Sequence, residues 1–239
     1  MKSMFWKNNR LDKLISMICF VALVVVLSSC LDDDDNGGMQ PIPVAYVSIY
    51  HASPDAPGMD VYVDERAVNR LEFTDYTGYL NFYTGDRRFK INPFNATNAL
   101  VDTTFKFEDG GFYSLFIVNN LEKIEALTVR DTASTPESGK AKIRFINLSP
   151  DASALDVIFK DTTDPLFAEQ AFKDPSDFIE VEAAKASLVL KASGSTEELV
   201  DLTDVDFRSG RFYTIIARGF VNPPAGNNNA LSVEVVRNL

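Results

Sequence analysis

The chain holds one histidine, His51, and an aspartate follows it within the run His51-Ala52-Ser53-Pro54-Asp55. An imidazole oriented by a carboxylate can shuttle protons, but only beside a nucleophile or a reacting water. At an offset of 96 residues the run nearly recurs as Asn147-Leu148-Ser149-Pro150-Asp151, with asparagine in the histidine's place. A carboxamide cannot carry a proton, although it makes hydrogen bonds of the same kinds. The repetition therefore favours a structural corner over a reactive one. Gly-x-Ser-x-Gly, His-Glu-x-x-His and glycine-rich phosphate loops are absent from the sequence. No catalytic residue and no cofactor is assigned.

Carboxylates offer a second chemistry. Asp55, Asp60 and Asp64, with Asp151 and Asp156 in the later segment, could supply the oxygen ligands that calcium favours. Against this, Asp60 and Asp156 fall on alternating strand positions, Asp55 and Asp151 serve a turn, and Lys160 stands where Asp64 has its counterpart. EF-hand spacing is missing, so no metal is assigned. Aromatic side chains offer a third chemistry, since exposed tyrosines stack on sugars and partner proteins. The stretch from Phe73 to Asp86 carries Tyr76, Tyr79, Phe82 and Tyr83; its later counterpart keeps Phe172, Phe178 and Ile179 but has no tyrosine. Retained positions read as core. Tyr76 and Tyr83 are the ligand-contact candidates. A loop from Asn222 to Ala230 lengthens the last hairpin and is either a binding loop or a harmless insertion.

The N-terminus is an address label. Lys2, Lys7, Arg10 and Lys13 precede an apolar run from Leu14 to Leu27, which as a helix spans roughly 21 Å, short of a hydrocarbon core of roughly 30 Å. The following Leu27-Ser28-Ser29-Cys30 resembles a lipobox, which implies a signal peptide over residues 1–29 and lipidation of Cys30. Cys19 would leave with the signal, so no intramolecular disulfide could form and the core must hold the exported chain together. Cleavage would take 23 basic and 34 acidic residues to 19 and 33, a net charge of −14. Such a surface repels phosphate backbones, so nucleic acid is not an expected partner. Residues 30–42 read as the lipidated cysteine and an acidic tether. The four aspartates behind Leu31 resemble the signal that Bacteroidota use to place lipoproteins on the outer face of the outer membrane. That implies surface display, with a periplasm-facing anchor as the alternative.

The body is written twice. Val47 to Val63 aligns without gaps on Ile143 to Phe159, and Leu100 to Ile117 matches Leu199 to Ala217 with one added residue. We place one domain at 43–131, a linker at 132–140 and a second domain at 141–239. Asp131-Thr132-Ala133, at the start of that linker, resembles an O-glycan acceptor, making Thr132 a modification candidate. Each copy alternates apolar and polar residues in short runs rich in β-branched and aromatic types. Val44–Tyr50, Met59–Val63, Tyr79–Tyr83, Phe89–Ile91, Val101–Phe107, Phe112–Val118 and Ile124–Val129 make about seven strands. The stretch from Pro165 to Phe172 could hold one helical turn. The expected fold is all-β: two tandem antiparallel sandwiches, Ig-like or transthyretin-like. Ser53, Pro54 and Asp55 then form the corner between two strands, with Ser149, Pro150 and Asp151 repeating it. Their free oxygens are expected to bond nearby backbone N–H groups of the turn itself.

The run from His51 to Asp64, followed by Gly110 to Val118 and Leu127 to Asp131, resembles the bacterial domain-of-unknown-function family forty-three ninety-seven. Glu65 departs from its usual glycine, and Asn147, Ser153, Ile158 and Lys160 depart from it in the second copy. The resemblance implies a β-sandwich and an extracytoplasmic address, and no activity. The functional expectation is a non-enzymatic, lipid-anchored envelope protein that binds a glycan or an envelope protein. A hydrolase or accessory subunit of a surface enzyme, and a purely structural component, are the alternatives.

Overall fold

Val44–His51 forms strand β1 because its side chains alternate: Ala45, Val47 and Ile49 are fully buried on one side, while Tyr46, Ser48 and Tyr50 point to the other. The computed structural model describes residues 41–131 and 134–238, so Cys30, the acidic tether and Thr132 lie outside the described residues. From β1 the chain continues through β2 (Met59–Val63), β3 (Arg66–Leu71), β4 (Leu80–Tyr83) and β5 (Gly85–Pro93), then β6 (Val101–Phe107), β7 (Phe112–Val118) and β8 (Glu125–Arg130). These make two sheets of order β4-β1-β7-β8 and β3-β2-β5-β6. Val47, Ile49, Val61, Phe89, Ile91, Leu115 and Ile117 fill the space between them.

The later strands are β9 (Lys140–Asn147), β10 (Leu155–Phe159), β11 (Pro165–Gln170), β12 (Ile179–Glu182), β13 (Lys185–Ala192), β14 (Glu198–Asp206), β15 (Phe212–Arg218) and β16 (Ser232–Arg237). They follow the same plan, β12-β9-β15-β16 facing β11-β10-β13-β14. Among the described residues the protein is all-β, in two sandwich-like units of eight strands each.

Three sequence expectations need correcting. The strand missed in the first unit is β3, whose residues are exposed or half-buried except Leu71, so it lacks the alternation that marks a strand. Pro165 to Gln170 is a strand and not a helical turn. It sits at a sheet edge bonded only to β10 through an irregular register, where an opening proline removes no ladder bond. The sheets are also not purely antiparallel: β1 pairs with β7, and β9 with β15, in parallel. In the first unit β4 takes one side of β1 antiparallel, and β7, after a second excursion to the other sheet, takes the remaining side in parallel.

The two sandwiches share a further apolar layer. Tyr50, Ala52, Phe116 and Val118 from the first pack with Ile146, Leu148, Ile216 and Val236 from the second. The sheets that meet are those containing β1 and β9, and both turn outward the side chains that their own cores do not use. In the middle of this layer Arg144 forms an ion pair with Asp131, both essentially buried. The arginine also donates to Thr214 Oγ1 at 2.9 Å and to the Arg130 carbonyl at 3.1 Å, and stacks over the Phe178 ring at 4.8 Å. Asp131 additionally accepts from the Ser114 and Tyr79 hydroxyls, each at 2.7 Å. At the rim, Tyr50 donates to Glu234 at 2.5 Å and accepts from Arg218 at 2.7 Å, and Lys173 meets Glu125 at 2.7 Å. Burial, then the bond to Glu234, pushes the Tyr50 hydroxyl far up, so it stays protonated.

Apolar burial at about 1.5–3 kcal/mol per large side chain supplies the attraction, and a register that broke the buried ion pair would leave an uncompensated charge. Replacing Arg144 by alanine strands a buried carboxylate and is expected to cost about 3–5 kcal/mol in chemical denaturation. Arg144→Ser combined with Asp131→Asn removes both charges at once. That pair should lose less than the sum of the two single changes, which a double-mutant cycle measures.

Candidate functional site

The repeated corner is built by the parallel strand pair. His51 lies opposite Ile117, so β1 and β7 end side by side and the turn after β1 rests on the loop after β7. Ser53 Oγ donates to the Asn119 carbonyl at 2.6 Å, and Asp55 accepts the Leu121 N–H at 2.8 Å. In the second sandwich Asp151 accepts the Val221 and Asn222 N–H groups, both at 2.8 Å, and Ser149 bonds Asp151 at 3.3 Å. The corner's carboxylates thus clamp a distant loop and do not cap their own turn, which corrects the sequence expectation. Pro54 points its carbonyl the other way, where it accepts from the carboxamides of Asn227 at 3.0 Å and Asn229 at 2.5 Å. The long loop of the second sandwich is therefore a fastener onto the first sandwich's corner.

His51 is fully buried. Its Nε2 lies 3.1 Å from the Pro57 carbonyl and its Nδ1 lies 3.3 Å from the Ser53 N–H. A carbonyl can only accept and an amide can only donate, so the ring is neutral with its proton on Nε2. Burial lowers its pKa below the ordinary 6.5, against smaller opposing contributions from Pro57, Glu72 and Asp75. Asn147 reproduces the same pattern: Oδ1 accepts the Ser149 N–H at 3.1 Å and Nδ2 donates to the Ser153 carbonyl at 3.3 Å. The carboxamide replaces the neutral imidazole atom for atom.

The remaining candidates disperse. Asp60 pairs with Arg70 at 2.8 Å, a bond that holds its pKa low, helped to a lesser degree by the Asn95 N–H that it accepts at 3.0 Å. Asp64 pairs with Arg87 at 2.9 Å, and Asp156 accepts from Glu169 N–H and Ser193 Oγ. Among the described residues no three His, Cys, Asp or Glu side chains group so as to hold a metal ion. Tyr76 and Tyr83 are both exposed, at 48% and 57%. They stand opposite Tyr50 and Val44 respectively, six residues apart along β1 and so about 20 Å apart at strand spacing, too far for one platform.

Tyr76 does border a cleft of about 320 Å³ between the two sandwiches, within the range of roughly 300–1,000 Å³ typical of small-ligand sites. Ser48 and Tyr79 line it from the first sandwich, and Arg211, Arg237 and Asn238 from the second. Tyr79 is held by its bond to Asp131, and burial followed by that carboxylate's charge pushes its hydroxyl far up. The sequence singles out Tyr76, which borders this cleft, and gives no sign of the two arginines that line it as well. They are 26 residues apart, and only the pairing of β15 with β16 and the union of the sandwiches brings them to one cleft.

The fold and the site thus define an all-β protein of two sandwich-like units, in each of which a Ser-Pro-Asp run forms a structural corner. Residues 45–158 match the model of the family described as Domain of unknown function (DUF4397), a span that covers the first sandwich and runs into β10. No curated protein matches the chain. Among solved structures, the C-terminal domain of AlgF from P. aeruginosa is similar at 20% identity and a TM-score of 0.32, over 41% of this chain and 98% of that one. A family 41 carbohydrate-binding module from streptococcal virulence factors, described in alpha-glucan recognition, gives 14% identity and 0.24 over 70% and 92%. A family 26 module of Eubacterium rectale Amy13K, in complex with maltoheptaose, gives 10% and 0.26 over 79% and 96%. With TM-scores this low, none of the three carries an argument about this chain.

Acid tests the histidine. The unfolded chain takes up this proton below about pH 6.5 while the buried ring resists it, so the ring's contribution is full above that pH and fades as pH falls toward the lowered folded value. His51→Asn is expected to keep the fold within about 1 kcal/mol and to remove this share of the acid sensitivity. His51→Ala leaves the Ser53 N–H and Pro57 carbonyl without partners and should cost about 1–3 kcal/mol. Denaturation curves from pH 7.5 down to 5 distinguish the three proteins.

Proposed function

We propose that this chain is a lipid-anchored envelope protein that binds and does not catalyse. In this reading Cys30 carries the lipid, the tether of aspartates leads to the exterior face of the outer membrane, and the two sandwiches present a surface to a glycan or an envelope protein. Thr132 remains a candidate for O-glycosylation on that tethered surface. The observation that carries the binding role is the cleft in which Tyr76 stands half-exposed beside residues of the second sandwich. Aromatic rings so placed give contact area at low entropic cost. Support for a non-catalytic role comes from His51, whose two ring nitrogens are both spent on the backbone. An essential general base needs one of them free for a reacting proton.

Two experiments address the two halves of the proposal. Cys30→Ala should release the protein from the membrane fraction, and proteinase added to intact cells should digest the anchored protein without lysis. Digestion only after lysis would contradict the exterior placement. For binding, the full chain purified in detergent is applied to an array of surface glycans and to envelope extracts. Tyr76→Ala should weaken the retained interaction by about tenfold while leaving the melting temperature within a few degrees. Silence on both arms would contradict the binding role.

A further inference from the structure

The contact between the sandwiches is reciprocal. Equivalent positions of the two sheets meet in it, Tyr50 and Phe116 from the first and Ile146 and Ile216 from the second, each pair opposite one another within its own sheet. At one such place Arg144 of the second sandwich reaches Asp131 and the Arg130 carbonyl of the first. Strand register makes Ser48 the counterpart of Arg144, Asn238 that of Asp131, and Arg237 that of Arg130. The bond from Ser114 to Asp131 is answered by one from Thr214 to Asn238, both at 2.7 Å. One counterpart site is therefore plugged by a buried ion pair, while the other has a serine and an asparagine in its place and opens as the cleft.

The open site also changes sign. Arg130 is neutralised by Glu108 at 2.6 Å. Glu108 begins the turn Glu108-Asp109-Gly110-Gly111, whose counterpart is Arg208-Ser209-Gly210-Arg211. The correspondence is structural, since Tyr113 accepts the Glu108 N–H at 3.2 Å and Tyr213 accepts the Arg208 N–H at 3.0 Å. The turn's formal charge thus goes from −2 to +2, in a chain of net charge −11. Arg208 pairs with Asp206, so Arg237 loses the acidic partner that Arg130 keeps. Among the described residues neither Arg237 nor Arg211 has an ion-pair partner, and both are exposed.

We infer that this open half of the interface is a binding site for an acidic glycan, a sugar bearing a carboxylate or a sulfate ester. The inference rests on the binding role proposed above and names its ligand class. Arg211 and Arg237 supply planar forks that match carboxylate and sulfate oxygens. Ser48 and Asn238 give an uncharged polar floor suited to sugar hydroxyls, and Tyr76 gives a ring for a sugar face. The site exists only where the two sandwiches join, since each contributes half of its lining.

Matched probes test the charge requirement. The full chain in detergent is titrated with oligogalacturonate against its methyl ester, and with dextran sulfate against dextran. The charged member of at least one pair should bind and its neutral partner should not; the pair that responds distinguishes carboxylate from sulfate. Arg237→Gln and Arg211→Gln should each weaken that binding by about tenfold or more, whereas Arg66→Gln, on the far sheet, should not. Melting temperatures identify any variant that has lost its fold. Equal binding of charged and neutral members, or equal loss with Arg66→Gln, overturns the acidic class. If neutral glycans bind and only Tyr76→Ala abolishes it, the ligand class fails and the binding role stands. Failure of every probe together with empty envelope pull-downs overturns both.

Discussion

A guanidinium and a carboxylate are buried together between two sheets, and the arrangement of the molecule depends on that pair. Arg144 and Asp131 come from different sandwiches and retain almost no exposure. Taking two charges out of water costs several kcal/mol each, and the attraction between them offsets this only when their remaining hydrogen bonds are made. Here they are: Thr214, the Arg130 carbonyl, Ser114 and Tyr79 complete the set. An apolar layer alone would allow the two outer faces to slide. The ion pair and its four further partners favour the register in which all of their bonds close.

That register has consequences at both ends of the interface. It brings the second sandwich's long loop onto the Pro54 carbonyl, so a feature that reads as an insertion serves assembly. It also leaves one counterpart of the plugged site unfilled. Two substitutions at related positions, serine for arginine and asparagine for aspartate, are enough to exchange a weld for a cleft. The repeated corner belongs to the same economy of parts. His51 and Asn147 supply one acceptor and one donor to the turn, and Asp55 and Asp151 hold the neighbouring loop.

How much of this was legible follows from the range of the interactions. Alternation within a strand is local, so the sandwich class and most strands, such as Met59–Val63, could be read directly. Strand β3 could not, because an edge strand with one buried residue has no period to detect. The reach of Ser53 and Asp55 across to Asn119 and Leu121 was hidden because it depends on parallel pairing between positions 66 residues apart. At the cleft, the lost ring at Tyr76 was a readable signal. Arg211 and Arg237 were not, since their meaning lies in an absent partner, and the change from Glu108 to Arg208 matters only once Arg130 is seen to use the former.

Joined through these faces, the two sandwiches should unfold as one cooperative body. Scanning calorimetry of the protein measures this most directly. One transition whose calorimetric and van't Hoff enthalpies agree for the whole body is expected. Two separable transitions, each with about half of the total enthalpy, would contradict it.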